Sequence, residues 1–182
     1  MKRPIGFTML EMLFVMLILA ILLAMAIPYF KLFLDRQRLR DAVAELDTLY
    51  RQTRFDAVRS TASATFSFTP SSSGIAWTAT ATDASGTLAT LSSSRFSCVI
   101  SCSSTTSVTL SANRGIPVNA SSVSFSITSP ACSQTQGALY SQACQGSSSA
   151  MTQLCAANPG AVSIKIWPTG QSSVDKSQCP GA

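Results

Sequence analysis

Six cysteines, eight carboxylates and no histidine define the chemistry open to this chain. Without imidazole there is no Ser-His-Asp triad, no histidine proton relay and no histidine-ligated zinc. The cysteines are Cys98, Cys102, Cys132, Cys144, Cys155 and Cys179, and no two form a C-x-x-C pair. An even set of this kind argues against zinc and for three disulfides, which places the segment in an oxidising compartment. Six cysteines allow fifteen pairings. The expected one is sequential, 98–102, 132–144 and 155–179, with the last bridge tying down the C-terminal tail. Past residue 59 the only carboxylates are Asp83 and Asp175, far apart in sequence. Ser and Thr are abundant there, but nothing identifies a base that could activate a hydroxyl. Neither an enzyme nor a cofactor or metal site is expected.

Glu11 is the one carboxylate placed where a charge is costly. Residues 12–27 are sixteen consecutive apolar residues, and the apolar segment extends from Phe7 to Phe30 with Thr8, Glu11 and Pro28 as its interruptions. As a helix, 24 residues span about 36 Å, enough for a hydrocarbon core of about 30 Å. An acid near the end of such a helix is a functional-site candidate by default. Lys2 and Arg3 precede the span, so the positive-inside rule keeps the N-terminus cytoplasmic and exports the chain beyond Lys31. Pro28 removes a helical hydrogen bond and is expected either to kink the helix or to end it, with Tyr29 and Phe30 at the membrane interface.

Charge divides the rest of the chain. Residues 31–59 hold seven bases and five acids, whereas residues 60–182 hold six charges in all. In the first of these stretches Leu39, Val43, Leu46, Tyr50, Thr53 and Ala57 recur at three- and four-residue spacing, flanked by Leu32, Leu49 and Val58. That pattern is a helix laying one face on a core. Its bases read as a solvated, salt-bridged face, with Arg38–Asp41 and Asp47–Arg51 as expected partners. Beyond residue 60, strand-like runs appear at 63–69, 74–82, 95–100, 107–112, 122–128 and 161–167, separated by Ser/Thr/Gly/Pro clusters. Residues 130–160 show no period and read as a long loop restrained by cysteines. The expected architecture is α+β: a long N-terminal helix packed on an antiparallel β-sheet head.

The junction Lys2-Arg3-Pro4-Ile5-Gly6-Phe7-Thr8-Met9-Leu10-Glu11 resembles the class III signal of type IV pilins and pseudopilins. In that family a membrane aspartyl peptidase cuts after the glycine on the cytoplasmic face and methylates the new amine. The resemblance implies cleavage after Gly6, a methylated N-terminus at Phe7, and Glu11 as the fifth mature residue. It further implies that the Phe7 ammonium of one subunit pairs with Glu11 of another, which sets register in a filament, and that the helix bends at Pro28 on assembly. The corresponding domains are a leader at 1–6, a transmembrane and filament-core helix at 7–30, an amphipathic helix at 31–60 and a disulfide-stapled β-rich head at 61–182.

Residues 50–68, and the stretch Val162-Ser163-Ile164-Lys165-Ile166-Trp167-Pro168-Thr169-Gly170, are similar to GspH/FimT-type minor pilins. The resemblance implies a minor type IV pilin that assembles into or primes a pilus. The alternatives are a type II secretion minor pseudopilin, or a DNA-binding minor pilin of natural transformation. Its partners would be other pilins through the N-terminal helix, prepilin peptidase, and the inner membrane before assembly. The chain would be single-pass with its head in the periplasm, then part of a surface pilus or periplasmic pseudopilus. DNA is a disfavoured partner: relatives that bind it carry bases after the glycine, whereas residues 171–176 here are Gln-Ser-Ser-Val-Asp-Lys.

Overall fold

The computed structural model describes residues 8–71, 75–119, 121–157 and 159–179. Gly6 and Phe7 lie outside the described residues. One helix, α1 (Met9–Arg59), runs through position 28 and on for another thirty-one residues, so Pro28 does not end it. Compact packing divides the chain into two units between Leu34 and Asp35. In the second unit Leu39, Ala42, Val43, Leu46, Leu49, Tyr50, Thr53 and Ala57 are buried, the stripe set by the three- and four-residue spacing. Arg38 pairs with Asp35 at 3.2 Å, one turn back rather than forward to Asp41, while Arg51 pairs with Asp47 at 2.8 Å. The helix stops where Ser60 turns both its N–H and its hydroxyl back to the Asp56 carbonyl and Thr61 takes a left-handed φ of 54°.

Among the described residues the head holds two antiparallel sheets. In the first, β1 (Ala64–Pro70), β2 (Trp77–Asp83), β3 (Gly86–Ser92) and β4 (Thr106–Leu110) are ordered β3-β2-β1-β4. In the second, β5 (Val123–Ile127), β6 (Val162–Ile166) and β7 (Ser172–Asp175) follow in chain order. Strict alternation places Ala64, Phe66 and Phe68 of β1, and Val162, Ile164 and Ile166 of β6, on buried faces. Phe125 of β5 stacks on Phe68 at 4.5 Å and on Phe66 at 5.8 Å, so the second sheet keys into the first through one ring. Tyr50 continues the chain of rings edge-on to Phe66, and Phe68 passes it to Trp77 and Phe96. Each such side chain contributes about 1.5–3 kcal/mol by burial, and the ring contacts add to that.

Three expectations need correction. Residues 95–100 form no strand: a 3-10 turn spans Ser93–Arg95, and Ile100 makes a single bridge to Thr128. Residues 130–160 are not a loop; they contain α2 (Gly137–Cys144) and α3 (Ser148–Ala156). Each has only about two turns, too few to print a period, and cysteines occupy part of their inner faces. The hairpin has its own core of Ile100, Tyr140, Ala143, Ala150, Met151 and Leu154. Finally, the disulfides are Cys98–Cys144, Cys102–Cys155 and Cys132–Cys179, with Cα separations of 5.4, 5.4 and 4.6 Å. None of the sequential pairs 98–102, 132–144 or 155–179 forms. Nearest-neighbour pairing would have stapled each loop to itself, whereas the observed bridges clamp the helical hairpin to the 98–102 segment and the tail to residue 132.

Two buried contacts around that clamp carry measurable consequences. The Thr128 hydroxyl donates to the Gly160 carbonyl at 2.6 Å and so must accept from the Tyr140 hydroxyl. Burial pushes the Tyr140 phenol up to about 12, and burial also raises Tyr50. A phenol that ionises near pH 10 when unfolded but higher when folded leaves stability intact below pH 10. That stability is lost as pH climbs toward 12. Denaturant midpoints should therefore hold up to about pH 9.5 and fall steeply above pH 10, with tyrosinate absorbance showing two late-ionising tyrosines. Gly160 is required for a different reason: a Cβ there would lie 1.9 Å from the Gln178 carbonyl oxygen and 3.3 Å from that of Cys132. Gly160→Ala must displace the disulfide-pinned tail and is expected to cost about 3 kcal/mol in urea unfolding.

Candidate assembly site on the N-terminal helix

The first turn of α1 is built by Thr8. Its carbonyl accepts the N–H of Glu11 at 3.1 Å and of Met12 at 3.3 Å, and its hydroxyl oxygen accepts the Glu11 N–H at 3.3 Å. Thr8 is thus the N-cap and Glu11 the third helical residue, the Thr-x-x-Glu spacing of a capping box. That spacing was readable from sequence, and it gives Thr8 a role that the apolar pattern alone does not. Among the described residues no side chain pairs with the Glu11 carboxylate. It stands in the first turn, where the helix dipole favours negative charge. From Met9 to Ile27 every large apolar side chain is at least half exposed, from 50% at Val15 to 90% at Met9. The helix is long and apolar enough to cross a membrane, with a mean hydropathy of 2.8 in its best window. An all-round greasy helix of this kind must be covered by lipid or by other helices.

The first 27 residues match the family model of the prokaryotic N-terminal methylation motif, a stretch that includes Gly6, Phe7 and Glu11. The fold is similar to that of the type IV minor pilin FimU of Pseudomonas aeruginosa. The two are 16% identical, with a TM-score of 0.50 over 79% of this chain and 92% of the FimU chain. The chain is type IV pilin-like. At that identity the comparison with FimU is one of fold. No curated protein sequence matches the chain.

The head puts its carboxylates to structural use. Asp83 accepts the Ser85 hydroxyl, the Ser85 N–H and the Gly86 N–H, closing the β2–β3 turn. Asp175 accepts the Ser177 N–H at 2.9 Å. These hydrogen bonds, the Ser85 hydroxyl foremost for Asp83 and the Ser177 N–H for Asp175, hold both below the usual carboxylate range. Two stretches far apart in sequence meet in space, since the Tyr50 hydroxyl donates to the Gly170 carbonyl at 3.1 Å. Ser172 donates to Asp47, which fixes the start of β7 on the helix as well. The head's bases are dispersed: Arg95 pairs with Glu45 at 2.9 Å, and Lys165 lies 4.0 Å over the Trp167 ring.

Proposed function

We propose that this chain is a minor type IV pilin of the GspH/FimT type, a structural subunit with no catalytic activity of its own. The observation that carries the reading is the methylation motif opening a helix whose first half is apolar all round and whose second half anchors a pilin-type head. Prepilin peptidase removes residues 1–6 in the inner membrane. The helix then leaves lipid for the helices of neighbouring pilins, guided by the Phe7 ammonium and the Glu11 carboxylate and loosened at Pro28. The six cysteines stabilise the head, and their pairing supports a periplasmic location for it. Flanking charge supports that orientation less than Lys2 and Arg3 suggest by themselves, because Lys31, Arg36, Arg38 and Arg40 come after the span. A type II secretion pseudopilus is the alternative destination. DNA capture is disfavoured because so few bases are clustered on the head.

Glu11→Ala separates processing from assembly. The variant is expected to be cut normally but to enter filaments about tenfold or more less efficiently, since an unanswered ammonium in an apolar bundle costs several kcal/mol. Quantitative immunoblots of the membrane and sheared-filament fractions measure both steps. Unchanged incorporation would remove Glu11 from the assembly site.

A further inference from the structure

Two tight turns of the head meet over one arginine. Gly115 takes a φ of 59° and Gly170 one of 77°, a left-handed conformation open to glycine without strain, and both are buried. A Cβ at Gly115 would lie 2.8 Å from Arg54 Cγ. One at Gly170 would lie 2.8 Å from the Gly115 carbonyl oxygen and 3.4 Å from Arg54 Nε. The Arg54 stem is thus packed between two loops that glycine keeps open. Arg54 borders a cleft of about 300 Å³, lined also by Tyr50, Arg51, Gln171 and Ser172. Among the described residues no carboxylate pairs with it. Asp47, which touches two of the lining residues, is already used: Arg51 Nε donates to its Oδ2 at 2.8 Å and the Ser172 hydroxyl to its Oδ1. The Arg54 charge is felt at the cleft wall, since burial raises the Tyr50 phenol and Arg54 works against that rise.

Arg51 and Arg54 against Asp47 leave one positive charge uncompensated, and a guanidinium is a planar fork matched to a carboxylate. A carboxylate neutralises that charge, whereas a phosphate of about −1.5 to −2 would sit beside Asp47 with charge to spare. A free small carboxylate would not stay, because one water-exposed arginine contact strengthens binding by about fivefold at most. The acid must therefore arrive on a surface that other contacts hold in place, which raises its local concentration. In the assembly proposed above, that surface is a neighbouring subunit brought alongside by the N-terminal helix. We propose that the Arg54 cleft is a socket for an aspartate or glutamate side chain of a different pilin-like subunit. The inference rests on the assembly role proposed for the chain. A second copy is a poor donor of the acid. Its Asp35, Asp47 and Glu45 pair with Arg38, Arg51 and Arg95, and its Asp83 and Asp175 are held in their own turns. Glu11 lies in the apolar half of α1. One guanidinium beside one paired arginine is a single point of contact, not a track along a phosphate backbone, so DNA stays disfavoured.

The test uses the full chain in its source cell with Arg54→Lys, which places a primary amine in the cleft. A carbodiimide then joins that amine to a carboxylate only where the two are in contact. Gln52→Lys, at an exposed position outside the cleft, is the control. Mass spectrometry of the cross-linked, sheared filaments is expected to find an amide from position 54 to an Asp or Glu of another subunit that carries its own N-terminal methylation motif. Position 52 should give no amide to that acid. Arg54→Gln is expected to lower recovery of the chain in filaments about fivefold, and Arg54→Lys, which keeps the charge, by less, with the unfolding midpoints of the two variants alike. An amide formed only within the chain, to Asp47 or Asp56, overturns the socket and leaves the assembly role standing. The same holds for an amide to a second copy, or for none in filaments that contain the chain. Absence of the unsubstituted chain from filaments overturns both.

Discussion

In its source cell, Gly6→Ala is expected to leave the polypeptide at its full 182 residues in the membrane fraction. Glycine has no Cβ, so its backbone can enter a cleft that any other residue would obstruct, and a cut after it requires such an approach. The consequence extends beyond a longer chain. Without the cut Phe7 has no free amine, and Lys2 and Arg3 stay attached at the end of the apolar helix. Glu11 then enters an apolar bundle unanswered, at a cost of several kcal/mol. Filament incorporation should fall below detection, while the head still folds, because its core begins at Leu39. Intact mass separates the outcomes: retention of the leader with oxidised disulfides fits the account, and efficient trimming of the variant opposes it.

The second large effect lies in the head. Replacing both Cys132 and Cys179 with alanine is expected to lower the unfolding free energy by about 4 kcal/mol, the loop-closure value for a bridge across about 50 residues. A domain of this size holds about 5–15 kcal/mol in all, so this one pair accounts for a large share. The bridge spans 47 residues, and Cys179 itself lies in the main core at 1% exposure. Its loss frees the tail that lies against Gly160, and water gains access to the Tyr140–Thr128 contact below it. The other two bridges, across 46 and 53 residues, should behave differently. Removing them should first expose amides of α2 and α3 to hydrogen exchange while the β1–β2–β4 core stays protected, because the hairpin has a separate hydrophobic cluster. A midpoint shift equivalent to less than 1 kcal/mol for the Cys132/Cys179 pair would contradict this assignment.

How much of this was legible beforehand depends on the physics of each element. The long helix was, because a greasy stretch and an amphipathic stripe are strong local patterns that tertiary structure does not override. β1, β2, β4, β5 and β6 were also visible through alternation against a buried face. β3 was not: it is an exposed edge whose Thr, Leu and Ala residues alternate nothing. The Asp83-Ala84-Ser85-Gly86 turn was its only marker, with Gly86 at a φ of 133°. β7 is short and starts after Gly170, where the turn is held by the Tyr50 hydroxyl from far away in sequence. Disulfide connectivity was beyond reach for the same reason, since it depends on where the 98–102 segment meets a helical hairpin that sequence period did not reveal. At the N-terminus the methylation motif was fully readable, and Thr8 as helix cap was readable through its spacing to Glu11. The proposed partner of Glu11, a Phe7 amine, would belong to another subunit and to a later chemical state of the chain.

The central claim is that the chain works only after losing six residues and joining sister helices. Mass spectrometry of the N-terminal peptide from sheared filaments of the source cell tests it most directly. The account predicts a peptide beginning at Phe7 and carrying one N-methyl group. A peptide beginning at Met1, or a chain found only as a solitary membrane monomer and never in filaments, would contradict it.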